Sequence, residues 1–127
     1  MISVLPIKDN TLIKALFDNF GAKFNEFSGA VEATCGEEKL GYAIFYLDDE
    51  KITVLDIEPK NDLALADGIL RSALHNAVCA KVMKAYYNEN SPVEIFEKLK
   101  FILDESEKTL NINKLFESCC SCSDKNT

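Results

Sequence analysis

The sequence predicts an α+β domain, a mixed β-sheet flanked by helices on both faces. Three observations carry that prediction. Short apolar runs rich in Val, Ile, Phe and Tyr alternate with segments of helical period. Three of those runs are consecutive and separated by turn-forming tetrapeptides, which makes an antiparallel meander. A long amphipathic segment then links the meander to a further strand, and such a crossover sets its two flanking strands parallel, so the sheet is mixed. A chain of 127 residues, 47% hydrophobic and 28% charged, has the size and composition of one domain around one core.

The elements follow in order. ISVLPI, residues 2–7, reads as a strand, and Asp9 or Asn10 offers a helix cap. Leu12, Ile13, Leu16, Phe17 and Phe20 share one helical face, with Gly21 placed to end it. AVEATC, LGYAIFYL and ITVLDIEP are the meander strands, joined by GEEK and DDEK. Gly41, inside the second, marks a bulge or a close approach. From Asp62 to about Ala80 the residues Leu63, Ala66, Leu70, Ala73, Leu74 and Ala77 repeat at helical spacing, with Asp67, Arg71 and Asn76 largely opposite. VMKAYY, residues 82–87, is a strand. SPVEIFEKLK is a helix with Ser91 as cap and Pro92 in its first turn, and FILDE closes the order β, α, β, β, β, α, β, α, β. The division expected is a domain over residues 1–117 and a cysteine-containing tail over 118–127.

The net charge of -7 and the scatter of the 14 Lys and Arg leave no basic stripe, so neither nucleic acid nor an anionic membrane is an expected partner. The first ten residues hold too short an apolar run for a signal segment, and no run approaches the length of a membrane span. The expected compartment is the cytoplasm. Three of the five cysteines stand in CCSC at 119–122, and reduced thiols are the expectation there. Cys119 and Cys122 form half of a zinc motif, weak grounds for a metal site.

EEKLGYAIFYLDDEKITVLDIEP and NENSPVEIFEKLKF, set in this order around a long helix, resemble the central meander and the final helix motif of the GNAT N-acyltransferase superfamily. The resemblance spans roughly residues 2–105. It implies acetyl-CoA or another acyl-CoA as cofactor and a small-molecule amine as acceptor. It places the cofactor where the fourth strand splays from the fifth, near Ile57, Lys60, Leu63, Ala64, Ala66, Gly68, Ile69 and Asn88. The physics of such a cradle is general, since unpaired amides and the positive end of a helix dipole favour a phosphate.

The loop PKNDLALADG departs from the family pattern, with Gly68 its single glycine and Asp62 and Asp67 its acidic residues. Those aspartates have other readings, Asp62 as a helix cap and Asp67 as the i,i+4 partner of Arg71. For chemistry, Asp56 and Glu58 lie two apart on a strand, on one face and roughly 7 Å apart. The resemblance makes Glu58 the first choice of general base and Asp56 the second. Its usual tyrosine acid falls on Phe96, which cannot donate a proton, and Tyr86 or Tyr87 on the preceding strand is the substitute, Tyr86 the first choice. The motif glycine falls on Lys100. Three functions follow: an acyl-CoA-dependent N-acyltransferase, a GNAT-fold binding or self-associating module without catalysis, including a homodimer, and a thiol or metal sensor working through CCSC.

Overall fold

The computed structural model describes residues 2–116. The elements are β1 (Ile2–Pro6), α1 (Asn10–Phe20), β2 (Ser28–Cys35), β3 (Glu38–Leu47), β4 (Ile52–Glu58), α2 (Leu63–Cys79), β5 (Ala85–Tyr87), α3 (Val93–Lys98), β6 (Ile102–Asp104) and β7 (Thr109–Leu110). They form one sheet in the order β1-β2-β3-β4-β5-β7-β6. All neighbours are antiparallel except β4 and β5, which the α2 crossover makes parallel. The mixed sheet expected from the sequence is present. The CCSC segment, with Cys119 and Cys122, and the boundary at 117/118 lie outside the described residues.

Each helix is placed by its own local code. Asp9 caps α1 by accepting from the Thr11 amide at 2.9 Å, and Gly21 ends it in a left-handed conformation at φ 92°. Ile13 and Phe17 of α1 bury against Ala30, Ile44 and Leu55 on one face of the sheet. On the other face α2 lays Ala66, Ile69, Leu70, Ala73, Leu74 and Ala77 against the meander, joined by Ile95, Phe96 and Leu99 of the α3 region. Burial of these side chains, at about 1.5–3 kcal/mol for each large one, is the main force that fixes both helices.

Three details differ from the sequence expectation. The 82–87 strand is only Ala85–Tyr87 long, because Val82 is spent on closing α2. Its amide donates to the Ala77 carbonyl while Lys81 takes φ 65°, the usual way a helix end satisfies its last carbonyls. Ser91 does not cap α3, whose N-cap is Pro92 with no side-chain hydrogen bond. A two-residue strand, β7, inserts between β5 and β6, so that 102–104 pairs with β7 and not with β5.

Candidate active site

The site is built around the end of β4. Along β3 and β4 the register runs Ile44 to Asp56 but Phe45 to Val54, so Leu55 is an extra residue, a β-bulge. A bulge bends its strand and re-aims side chains. On the other side, β4 pairs with β5 only at Ile52, Thr53 and Val54, opposite Ala85, Tyr86 and Tyr87. Beyond Val54 the two strands part. Ser91 stands at the fork, its Oγ 2.9 Å from the Val54 carbonyl oxygen and accepting from the Asn88 amide at 3.0 Å. The hydroxyl expected to cap a helix instead ties the α3 loop to the last paired residue of β4.

Past the bulge, Asp56 and Glu58 lie opposite Ile44 and Tyr42 of β3, on the α1 face. Lys60 bridges them, with Nζ 3.1 Å from Asp56 Oδ1 and closer still to Glu58 Oε2. The Asp56 side chain is 11% exposed and that of Glu58 41%, so Glu58 is the member a ligand can reach. Burial holds the Asp56 carboxyl above its usual range, outweighing the hydrogen bond from Lys60. Burial also pulls Lys60 downward, yet its bonds to Glu58 and Asp56 outweigh that, and its ammonium is held above the usual range. Tyr42 is raised by burial first and by the charges of Asp56 and Glu58 second, which keeps its hydroxyl protonated and able to donate.

Two cavities meet this cluster. One, of about 340 Å³ on the α1 face, is lined by Leu12, Leu16, Glu32, Leu40, Tyr42 and Glu58 among others. The other, of about 420 Å³, lies beyond the fork between Lys60 and α3, with Ser91, Glu94 and Lys98 in its wall. Gly41 permits the close fit of β3 on the end of β4: a Cβ there would lie 2.2 Å from the Glu58 carbonyl oxygen. Gly41 thus has both features expected of it, since the β2–β3 register also shifts beside it.

The remaining sequence candidates separate by place. Ile57, Ala66 and Ile69 are fully buried core. Ala64 and Gly68 line a different groove, with Ile2, Val4 and Leu40 on the β1 side of α2, and Leu63 is exposed beside it. Asp62 is the N-cap of α2 and accepts from the Leu65 amide at 3.2 Å, and Asp67 pairs with Arg71 at 2.8 Å. Asn88 accepts from the Asn90 amide and shapes the loop before α3. Tyr86 pairs with Thr53 and sits near Lys51, roughly 15 Å along β4 from Glu58 by strand rise. Phe96 is buried with its ring 5.4 Å from that of Tyr87.

The structure therefore gathers Asp56, Glu58 and Lys60, and adds Tyr42 and Glu32, which sequence reasoning missed. Their signal was register: both sit on strands paired into the face that carries Glu58. Among the described residues no group of three or more His, Cys, Asp or Glu is placed to hold a metal ion, and no helix is long and apolar enough to cross a membrane.

The seven-stranded mixed sheet flanked by helices has the fold of solved GNAT acetyltransferases. The chain is similar to a ribosomal-protein-alanine N-acetyltransferase from Brucella melitensis biovar Abortus 2308, at 13% identity, TM-score 0.58, covering 78% of this chain and 90% of that one. It is similar to a Bacillus subtilis acetyltransferase in complex with CoA, at 13% identity, TM-score 0.56, covering 82% and 78%. A GNAT family acetyltransferase from Streptococcus pneumoniae TIGR4 matches at 15% identity, TM-score 0.53, covering 84% and 91%. No family model matches the chain, and no curated protein matches it significantly.

Proposed function

We propose that this chain is an N-acyltransferase that moves an acyl group from acyl-CoA to a small amine. The observation that carries the reading is the β4 fork. It puts a reachable carboxylate, Glu58, between a cavity on the α1 face and a second cavity walled by two lysines. The charges favour an anion at the second cavity, where Lys60 and Lys98 stand against the single carboxylate of Glu94. They favour one less at the α2 N-terminus, where the Asp62 carboxylate already accepts from an amide. In this reading the phosphates of the donor sit against Lys60 and Lys98, and the amine enters beside Leu12, Leu16 and Glu58.

When bound, the donor supplies an activated thioester. With donor bound, the amine would displace the thiolate from the acyl carbon, and Glu58 would take the proton lost by the nitrogen. Tyr42, kept neutral, offers a hydroxyl on the same face for the leaving thiolate, a role that neither Phe96 nor the distant Tyr86 can fill. The test is mass detection of acylated product from a panel of small primary amines with acetyl-CoA. Glu58→Gln is expected to lower kcat/KM by about 10²–10⁴-fold, the range of general base catalysis, with the melting temperature retained. Product formation by the variant at the wild-type rate contradicts the role.

Asp62 at the head of α2 and the buried Phe96 favour a second reading, a GNAT-fold module that binds or self-associates without catalysis. A stable dimer indifferent to CoA supports it. The third function, a thiol or metal sensor through CCSC, is a matter for metal stoichiometry in Cys119→Ser.

A further inference from the structure

Lys60 stands between the two halves of the site. Its ammonium bridges Asp56 and Glu58, and the same side chain, 41% exposed, forms part of the cavity wall that Ser91, Glu94 and Lys98 complete. An ammonium on a four-carbon stem is a mobile point charge that can change partner without moving the backbone. The two partners on offer differ in charge: a carboxylate pair on one side, and on the other a cavity in which Lys98 has Glu94 as its neighbouring acid.

We propose that Lys60 is an exchangeable counter-ion: entry of a phosphate-bearing donor into the α3-side cavity draws it off the carboxylate pair and so arms Glu58 as a base. The inference rests on the acyl-CoA reading above. The charge count explains the effect. With Lys60 in place the group of Asp56, Glu58 and Lys60 carries one net negative charge. Without Lys60 it carries two, one of them on the nearly enclosed Asp56, and two like charges so placed raise each other's proton affinity. The other groups facing the cluster do not replace the lost cation. Tyr42 on β3 is neutral, Lys39 is engaged with Glu32 at 3.5 Å, and on α3 Glu94 and Lys98 face the donor side. Loss of Lys60 thus adds to the proton affinity of the carboxylate pair, which couples proton abstraction to donor binding.

The test follows the Asp56 and Glu58 side-chain carboxyl carbons by NMR titration of the full chain, free and saturated with CoA, with the Lys60 Nζ resonance observed alongside. CoA is expected to raise the titration midpoint of at least one carboxyl by about one unit, the scale of losing an adjacent opposite charge, and to shift the Nζ resonance. In Lys60→Gln the midpoint is already raised in the free protein, CoA moves it by much less, and CoA binds about tenfold more weakly. CoA binding to the wild type with unmoved midpoints overturns the exchange and leaves the acyl-CoA reading standing. An equal shift in Lys60→Gln also overturns it, because the phosphates' own field then accounts for the change. Absence of CoA binding removes both. Should Lys60→Gln fail to fold, unmoved midpoints or an unmoved Nζ resonance in the wild type still decide against the exchange.

Discussion

Asp56 and Glu58 share a strand face and a lysine, yet their burial separates their roles. Asp56, nearly enclosed, is raised in the folded state from an ordinary value of 3.8, burial being the largest cause. A folded-state pKa above the unfolded one means that the stability tied to this group is fully present below about 3.8 and is lost as pH rises through the raised value. Denaturant unfolding across that window is therefore expected to show wild-type stability falling relative to Asp56→Asn as pH rises. A constant difference between the two proteins contradicts this. The i,i+2 spacing of the two carboxylates was legible in the sequence, since strand periodicity alone gives it. Lys60 as their bridge was not, because its reach depends on how the chain turns after Pro59. Tyr42 was hidden for a related reason: its position opposite Glu58 follows from a register that includes the extra residue Leu55.

At the scale of elements, the segments with a strong local code formed as expected. The meander, the cap of α1 and the apolar stripe of α2 need no distant partner to be recognised. Elements defined by their neighbours were not legible in the same way. β7 is two residues long and exists because β5 and β6 both pair with it. Ser91 had the right residue type for a cap, but the buried Val54 carbonyl competes for its hydroxyl, and a buried acceptor left unpaired costs about 1–3 kcal/mol. The contact of β3 with the end of β4 is the element-level feature most open to test. Gly41→Ala places a methyl group 2.2 Å from the Glu58 backbone oxygen, and backbone cannot swing aside as a flexible side chain does. The substitution is expected to destabilise the fold by about 1–3 kcal/mol, measured by denaturant unfolding, and to disturb the site in the same step. Wild-type stability in that variant contradicts the packing described.

For the whole molecule, the sheet carries one fork, where β4 parts from β5. α1 seals one face, α2 and the α3 region seal the other, and the single parallel pairing stops at Val54 and Tyr87, so that the end of β4 pairs with β3 alone. The GNAT resemblance in the sequence led to this architecture, and the fold agrees with it. The sequence offered Asp62 as the cap of α2, and its carboxylate does accept there from the Leu65 amide, while Lys60 and Lys98 wall the neighbouring cavity. Calorimetric titration of the full chain with acetyl-CoA tests the central claim most directly. The account predicts saturable one-to-one binding with a Kd between about 1 µM and 1 mM, the range usual for enzyme substrates, weakened in Lys98→Gln. No heat up to millimolar acetyl-CoA, or binding that Lys98→Gln leaves unchanged, contradicts it.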